Sequence, residues 1–113
     1  MITSDINQSL FEFLKSQQNK IFKNIFIVNE DKRLIGVISQ GDLLNHFKLG
    51  GTSNVQLVDL INFNPTCIIN LQGNSNILKE KFLKYKVTEI PILDENYEII
   101  KIKSIFELLE EIN

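Results

Sequence analysis

Tryptophan is absent from this chain of 113 residues, and cysteine, histidine and arginine each occur once, as Cys67, His46 and Arg33. One cysteine excludes a disulfide within the chain and any multi-cysteine metal site. One histidine removes His-rich metal clusters, so no metal site is expected. One arginine excludes a cluster of bidentate guanidinium groups for phosphate. Long apolar runs are missing too. The longest reach four or five residues, far short of the ~20 a membrane span needs. The opening MITSDINQSL has neither a basic nor an apolar segment of the kind a secretion signal carries. A cytoplasmic setting without a membrane partner is the expectation. Net charge is only −2, so no global basic field exists to hold nucleic acid. What remains is ordinary globular composition, 43% apolar and 23% charged, in a length that suits one module.

Turn and cap signals divide the chain. Ile6, Leu10, Phe13 and Leu14 lie on one helical face, with Ser4 or Asp5 as the candidate cap. Ile25–Val28 and Leu34–Ile38 read as strands joined by the polar turn Asn29–Lys32, an antiparallel hairpin. Ser39-Gln40-Gly41-Asp42 starts a helix with Leu43, Leu44 and Phe47 on its apolar side. Lys48–Asn54 is a linker, Val55–Ile61 a short helix stopped by Asn62–Pro65, and Thr66–Ile69 a strand. Leu71–Ser75 is a capped loop, and Ile77, Leu78, Phe82 and Tyr85 form a helical stripe. Strands Ile90–Leu93 and Ile99–Ile102 flank the turn Asp94–Tyr97. A terminal helix carries Ile105, Leu108, Leu109 and Ile112.

Both halves share this order, and residues 25–44 slide onto 90–109 at an offset of 65 without a gap. Identities are Ile25/Ile90, Ile27/Ile92, Glu30/Glu95, Ile35/Ile100, Ser39/Ser104, Leu43/Leu108 and Leu44/Leu109, seven of twenty. Ahead of the hairpin the match is weaker, and about three extra residues are expected near Gln17–Lys20. A tandem duplication follows: residues 1–50 as the first repeat and 51–113 as the second.

Gly36-Val37-Ile38-Ser39-Gln40-Gly41-Asp42 concentrates the chemistry. Gly36 lets a ligand approach the backbone closely, since no Cβ intrudes. Ser39 at a helix N-terminus offers a hydroxyl and free N–H groups to phosphate oxygens. Asp42, in the first turn, can accept from two neighbouring ribose hydroxyls. Ser-x-x-Asp is equally a capping box in proteins that bind nothing.

FIVNEDKRLIGVISQGDLL and EIPILDENYEIIKIKSIFELL together resemble the tandem signatures of the CBS domain pair, the regulatory module named after cystathionine β-synthase. The resemblance covers essentially the whole chain. It implies an α+β fold of two βαββα repeats, packed through their sheets with pseudo-two-fold symmetry. It also implies an adenosine ligand (AMP, ADP, ATP or S-adenosylmethionine) in the inter-repeat cleft. Carried over, Gly36 and Ile38 line the site, Ser39 and Asp42 hold phosphate and ribose, and Thr66, Cys67, Val87 and Thr88 flank the base. The second motif departs from the pattern. Lys101 stands where glycine is expected and Glu107 replaces aspartate, so Lys101, Ser104 and Glu107 mark a degenerate second site. Met1–Thr3 gives only a vestigial first strand.

The resemblance implies a non-enzymatic sensor, with no cofactor beyond its regulatory nucleotide and a homodimer formed through helices. It also implies an attached or partner protein. GVISQGDLLNHFKLGG is most like the pairs ahead of sugar-nucleotide nucleotidyltransferases. The alternative is a structural dimerisation module with ligand-free clefts. Other residues read plainly. Cys67 is a structural thiol in a buried strand, and His46 is a helix-end residue. Lys79, Lys81, Lys84 and Lys86 form a solvated face. Phe11 and Phe106 are candidates for an interface between pairs. Ser39, His46 and Asp42 lack a nucleophile elbow or oxyanion hole and make no triad.

Overall fold

The structure is a computed structural model that describes residues 2–18, 22–70 and 75–111. Met1, Ile112 and most of the Leu71–Ser75 loop lie outside them. The element order is β1 (Ile2–Thr3), α1 (Leu10–Ser16), β2 (Asn24–Val28), β3 (Leu34–Ser39), α2 (Gln40–Lys48), β4 (Ile68–Ile69), α3 (Ser75–Tyr85), β5 (Glu89–Leu93), β6 (Ile99–Ser104) and α4 (Ile105–Glu111). One three-stranded sheet runs β1-β2-β3, the other β4-β5-β6. The α+β class expected from the sequence is the class observed. Two compact units form, one from residues 1–31 and 35–65, the other from 32–34 and 66–113.

The duplication is written into the hydrogen bonds. β1 pairs parallel with β2 in the register Thr3↔Ile27, and β4 with β5 in the register Ile68↔Ile92. Both hairpin turns carry an Asx bond at the same place: Asp31 N–H to Asn29 Oδ1 at 3.0 Å, and Asn96 N–H to Asp94 Oδ1 at 2.9 Å. Each turn then closes through a residue of positive φ, Lys32 at 66° and Tyr97 at 67°. Every one of these pairs keeps the offset of 65. The helices also start in register, at Leu10 and Ser75. The extra residues expected near Gln17–Lys20 are therefore not needed. Instead α1 is shorter, seven residues against eleven in α3.

Helix α1 begins later than its apolar spacing predicts. Ser9, not Ser4 or Asp5, is its cap. Ser9 Oγ accepts from Glu12 N–H at 3.0 Å, and Glu12 Oε1 accepts from Ser9 N–H at 3.2 Å. The preceding carbonyls are used elsewhere, since Ile6 O and Gln8 O accept from Val58 and Leu57 N–H. In return Leu10 and Phe11 N–H, orphaned at the helix start, donate to Val55 O and Ser53 O, both at 2.8 Å. The segment after Gly50-Gly51 thus folds back on the first unit. Only its residues Leu57–Asp59 are helical, as one 3₁₀ turn rather than a helix over 55–61.

The first core gathers Leu10, Phe13, Ile25, Ile27, Ile38 and Leu57, with Phe22 and Leu43 against it. The second gathers Ile68, Leu78, Phe82, Ile90, Ile92 and Leu108, with Val87 against it. Burying one such side chain contributes about 1.5–3 kcal/mol. Phe13/Leu78, Ile25/Ile90, Ile27/Ile92 and Leu43/Leu108 again hold the offset. Two of the four stripe residues on α3, Ile77 and Tyr85, face outward, so its buried stripe is narrow. Where Ile38 is fully buried, the second unit has Lys103, 8% exposed and ion-paired with Glu111.

Candidate functional site

Ser39 ends β3 and caps α2, with extended backbone at φ −92° and ψ 165°. Its Oγ accepts from Asp42 N–H at 3.1 Å, and Asp42 Oδ2 accepts from Ser39 N–H at 2.8 Å. The capping box foreseen as the plain reading of the motif is formed. It leaves Asp42 Oδ1 without a hydrogen bond among the described residues, and the carboxylate half-buried at the helix start. Gln40 fastens this turn to the chain ahead of β2, through its N–H to Lys23 O at 3.1 Å and its Nε2 to Phe22 O at 2.7 Å.

The close approach at Gly36 is made by the protein itself. A Cβ there would lie 2.3 Å from Ile61 Cγ2 and 2.8 Å from Asn62 O. Asn62 pairs with the outer edge of β3, giving Val37 N–H to Asn62 O at 3.0 Å and Asn62 N–H to Val37 O at 2.9 Å. The space that a ligand was expected to use at this glycine holds the Ile61 side chain and the Asn62 backbone instead. Ile38 is fully buried in the core, because alternation along β3 turns it to the same face as Leu34. Gly36, Ile38, Ser39 and Asp42 all belong to the first unit.

The residues expected around a base belong to the second unit. Thr66 and Cys67 precede β4 and are partly exposed, and only Ile68 of that stretch is buried. Cys67 is thus not in a buried strand, since β4 has two residues. Its Sγ lies 3.7 Å from Tyr97 Oη. That hydrogen bond first, then the thiol's charge and partial burial, raise the Tyr97 hydroxyl above its ordinary pKa. Val87 packs on the second core. Thr88 O accepts from Ile105 N–H at 3.0 Å, repeating the Lys23–Gln40 bond at the same offset.

At the second motif the capping box recurs. Ser104 Oγ accepts from Glu107 N–H, and Glu107 Oε1 accepts from Ser104 N–H, both at 3.2 Å. Lys101 Nζ lies 3.3 Å from Glu107 Oε2. The bond from Ser104 N–H chiefly holds the Glu107 carboxyl below its usual range, and Lys101 adds to this.

His46 is a helix-end residue whose Nε2 lies 2.8 Å from Thr52 O. Its ring stands over Gly51, where a Cβ would come within 2.1 Å of the imidazole. Of the lysine run, Lys81 and Lys84 approach the Tyr85 ring at 5.6 and 5.2 Å. With Ile77 and Glu80 these three residues line an open cavity of about 200 Å³ on α3. Phe11 and Phe106 are exposed, as are Leu44 and Phe47 on the side of α2 expected to be buried. Sequence reasoning overlooked Leu57, Asn62 and the Lys103–Glu111 pair. The last was detectable, because the offset of 65 sets Lys103 against Ile38.

Residues 1–49 match the family model described as CBS domain, and the whole chain has the fold of solved CBS domain pairs. It resembles CBS domain protein PAE2072 from Pyrobaculum aerophilum complexed with AMP (TM-score 0.80, 15% identity, covering 98% of this chain and 88% of that one). It also resembles the CBS domain pair of protein MJ0100 in complex with 5′-methylthioadenosine and S-adenosylmethionine (0.78, 16%, 99% and 89%). A third relative is the cytosolic domain of the Mg²⁺ channel MgtE in complex with ATP (0.76, 18%), where 94% of this chain spans 42% of that one. Among curated proteins, none matches the chain by sequence. Among the described residues, no helix is long and apolar enough to cross a membrane.

Proposed function

We propose that this chain is a regulatory module that binds an adenosine nucleotide at the Ser39–Asp42 motif and passes the resulting bias to an attached or partner protein. The observation that carries this reading is Asp42. Its cap bond uses one carboxylate oxygen and leaves the other to accept from a ribose, beside the N-terminus of the nine-residue α2. The ligands named for PAE2072, the MJ0100 pair and MgtE, all adenosine compounds, support the ligand class. Regulation then requires only that ligand favour one of two arrangements. A sugar-nucleotide nucleotidyltransferase is the partner we favour, on the likeness of GVISQGDLLNHFKLGG.

The test is thermal melting with AMP, ADP, ATP and S-adenosylmethionine. A ligand at 100 times its Kd stabilises the folded chain by about 2.7 kcal/mol. Asp42→Asn keeps the cap geometry and removes the charge, and it should abolish most of the shift. No shift with any of the four at millimolar concentration overturns the reading.

A second reading is a module that pairs copies and binds no ligand. Its support is the apolar surface of Leu44 and Phe47 on α2 and Phe106 and Leu109 on α4, each about half exposed or more. On each helix the two residues lie three apart, on one face, and exposed apolar surface of this kind marks association sites. Light scattering separates the readings: a dimer that Phe47→Ser with Phe106→Ser converts to monomer, and that no adenosine compound stabilises, favours the second.

A further inference from the structure

Both motifs close a capping box, yet they leave their carboxylates in different states. Asp42 spends Oδ2 on Ser39 N–H and keeps Oδ1 open among the described residues. Glu107 spends Oε1 on Ser104 N–H and Oε2 on the Lys101 ammonium. A ribose diol presents two neutral O–H donors and needs a carboxylate oxygen to receive them. At Glu107 that oxygen is already ion-paired with a cation, which a neutral donor has to displace or share the oxygen with.

We propose that Lys101 closes the second motif, so that the chain takes one nucleoside, at Asp42, and none at Glu107. This rests on the nucleotide reading of the first motif given above. The position is decisive because Lys101 is the offset partner of Gly36. In the first unit the missing side chain lets Asn62 pair onto β3, and no cation lies within reach of Asp42 from that strand. In the second unit the strand supplies its own cation, two residues before Lys103 and six before Glu107. Both members of the pair are about half exposed, at 55% and 40%. The pair therefore adds little to stability. Its consequence is for the carboxylate's availability. The Glu107 carboxyl is held below its usual range chiefly by the Ser104 N–H bond, and the Lys101 ammonium adds to this.

The experiment is calorimetric titration of the full chain with AMP, then ATP, then S-adenosylmethionine, paired with NMR of the side-chain carboxyl carbons. One ligand should bind per chain. Asp42→Asn should weaken it at least tenfold, and Glu107→Gln should change it less than twofold. The Asp42 carboxyl resonance should move on binding while that of Glu107 stays. In Lys101→Met, which keeps the aliphatic stem, the Glu107 titration midpoint should rise. Two ligands per chain overturn the proposal, as does a single ligand lost in Glu107→Gln and kept in Asp42→Asn. A Glu107 midpoint indifferent to Lys101→Met also overturns it. If the native chain binds none of the three compounds, the nucleotide reading itself falls, a result distinct from ligand bound at the other motif.

Discussion

Replacing Gly36 with alanine should destabilise the first unit through the chain's own packing, before any ligand is considered. The added Cβ meets Ile61 Cγ2 at 2.3 Å and Asn62 O at 2.8 Å. The second of these is backbone and cannot rotate away. Either the core is overpacked, which costs about 1–3 kcal/mol, or residues 61–62 lift off β3. Lifting gives up the Val37–Asn62 bonds of 3.0 and 2.9 Å, worth about 1 kcal/mol each, and loosens Ile61 from the core. Contacts this short, one of them to backbone, put overpacking in the upper part of its range, so both routes lead to about 2–3 kcal/mol. For a chain of this size that is a fall in Tm of about 8–12 °C, at about 4 °C per kcal/mol. Urea unfolding should show a lower midpoint with an unchanged m-value. Amide exchange should quicken at Val37 and Asn62. Lys101→Ala, at the offset partner, is the control and should change stability by less than about 0.5 kcal/mol, as exposed positions do. If Gly36→Ala matches that control, Gly36 does not serve the seating of Asn62, and a ligand-facing role regains its ground.

Leu57→Ala should cost about 2–4 kcal/mol by urea unfolding, because Leu57 is fully buried in the 3₁₀ turn just beyond the linker. Ser39→Ala should cost about 1 kcal/mol by removing the Oγ that accepts from Asp42 N–H. Lys103→Ile, which writes the first repeat's residue into the second, should be neutral or stabilising. Glu111→Gln, which leaves the buried ammonium without its partner, should destabilise, by about 1 kcal/mol given that Glu111 is half exposed. Glu107 carries a pH dependence. Its folded pKa lies below the unfolded one, so its contribution is present above the unfolded carboxylate pKa of about 4.3 and is lost as pH falls through the folded value. Stability measured from pH 6 to 3 should fall less steeply in Glu107→Gln.

Much of this was legible in the residues. The apolar runs at 25–28 and 90–93, the polar turns after them and the Ser-x-x-Asp/Glu starts each name their element locally. Sliding the chain on itself exposed the duplication at the same time. Less legible were features whose partners lie far along the chain. The start of α1 moved to Ser9 because the carbonyls of Ile6 and Gln8 are taken by residues 57–58. Cys67 looked like strand because its neighbours are β-branched, yet β4 pairs over only two residues. Leu44 and Phe47 share an apolar side with Leu43, but only Leu43 reaches the core.

By itself, then, the order of amino acids determined two copies of one α+β unit, their hairpins, and a capping box at each motif. These rest on periodicity and on bonds that reach three or four residues. Only tertiary structure decided what fills the space over Gly36, which half claims residues 51–65, and that Lys101 rather than open space faces Glu107. Those outcomes depend on which distant groups arrive within hydrogen-bonding distance, and no local pattern encodes that.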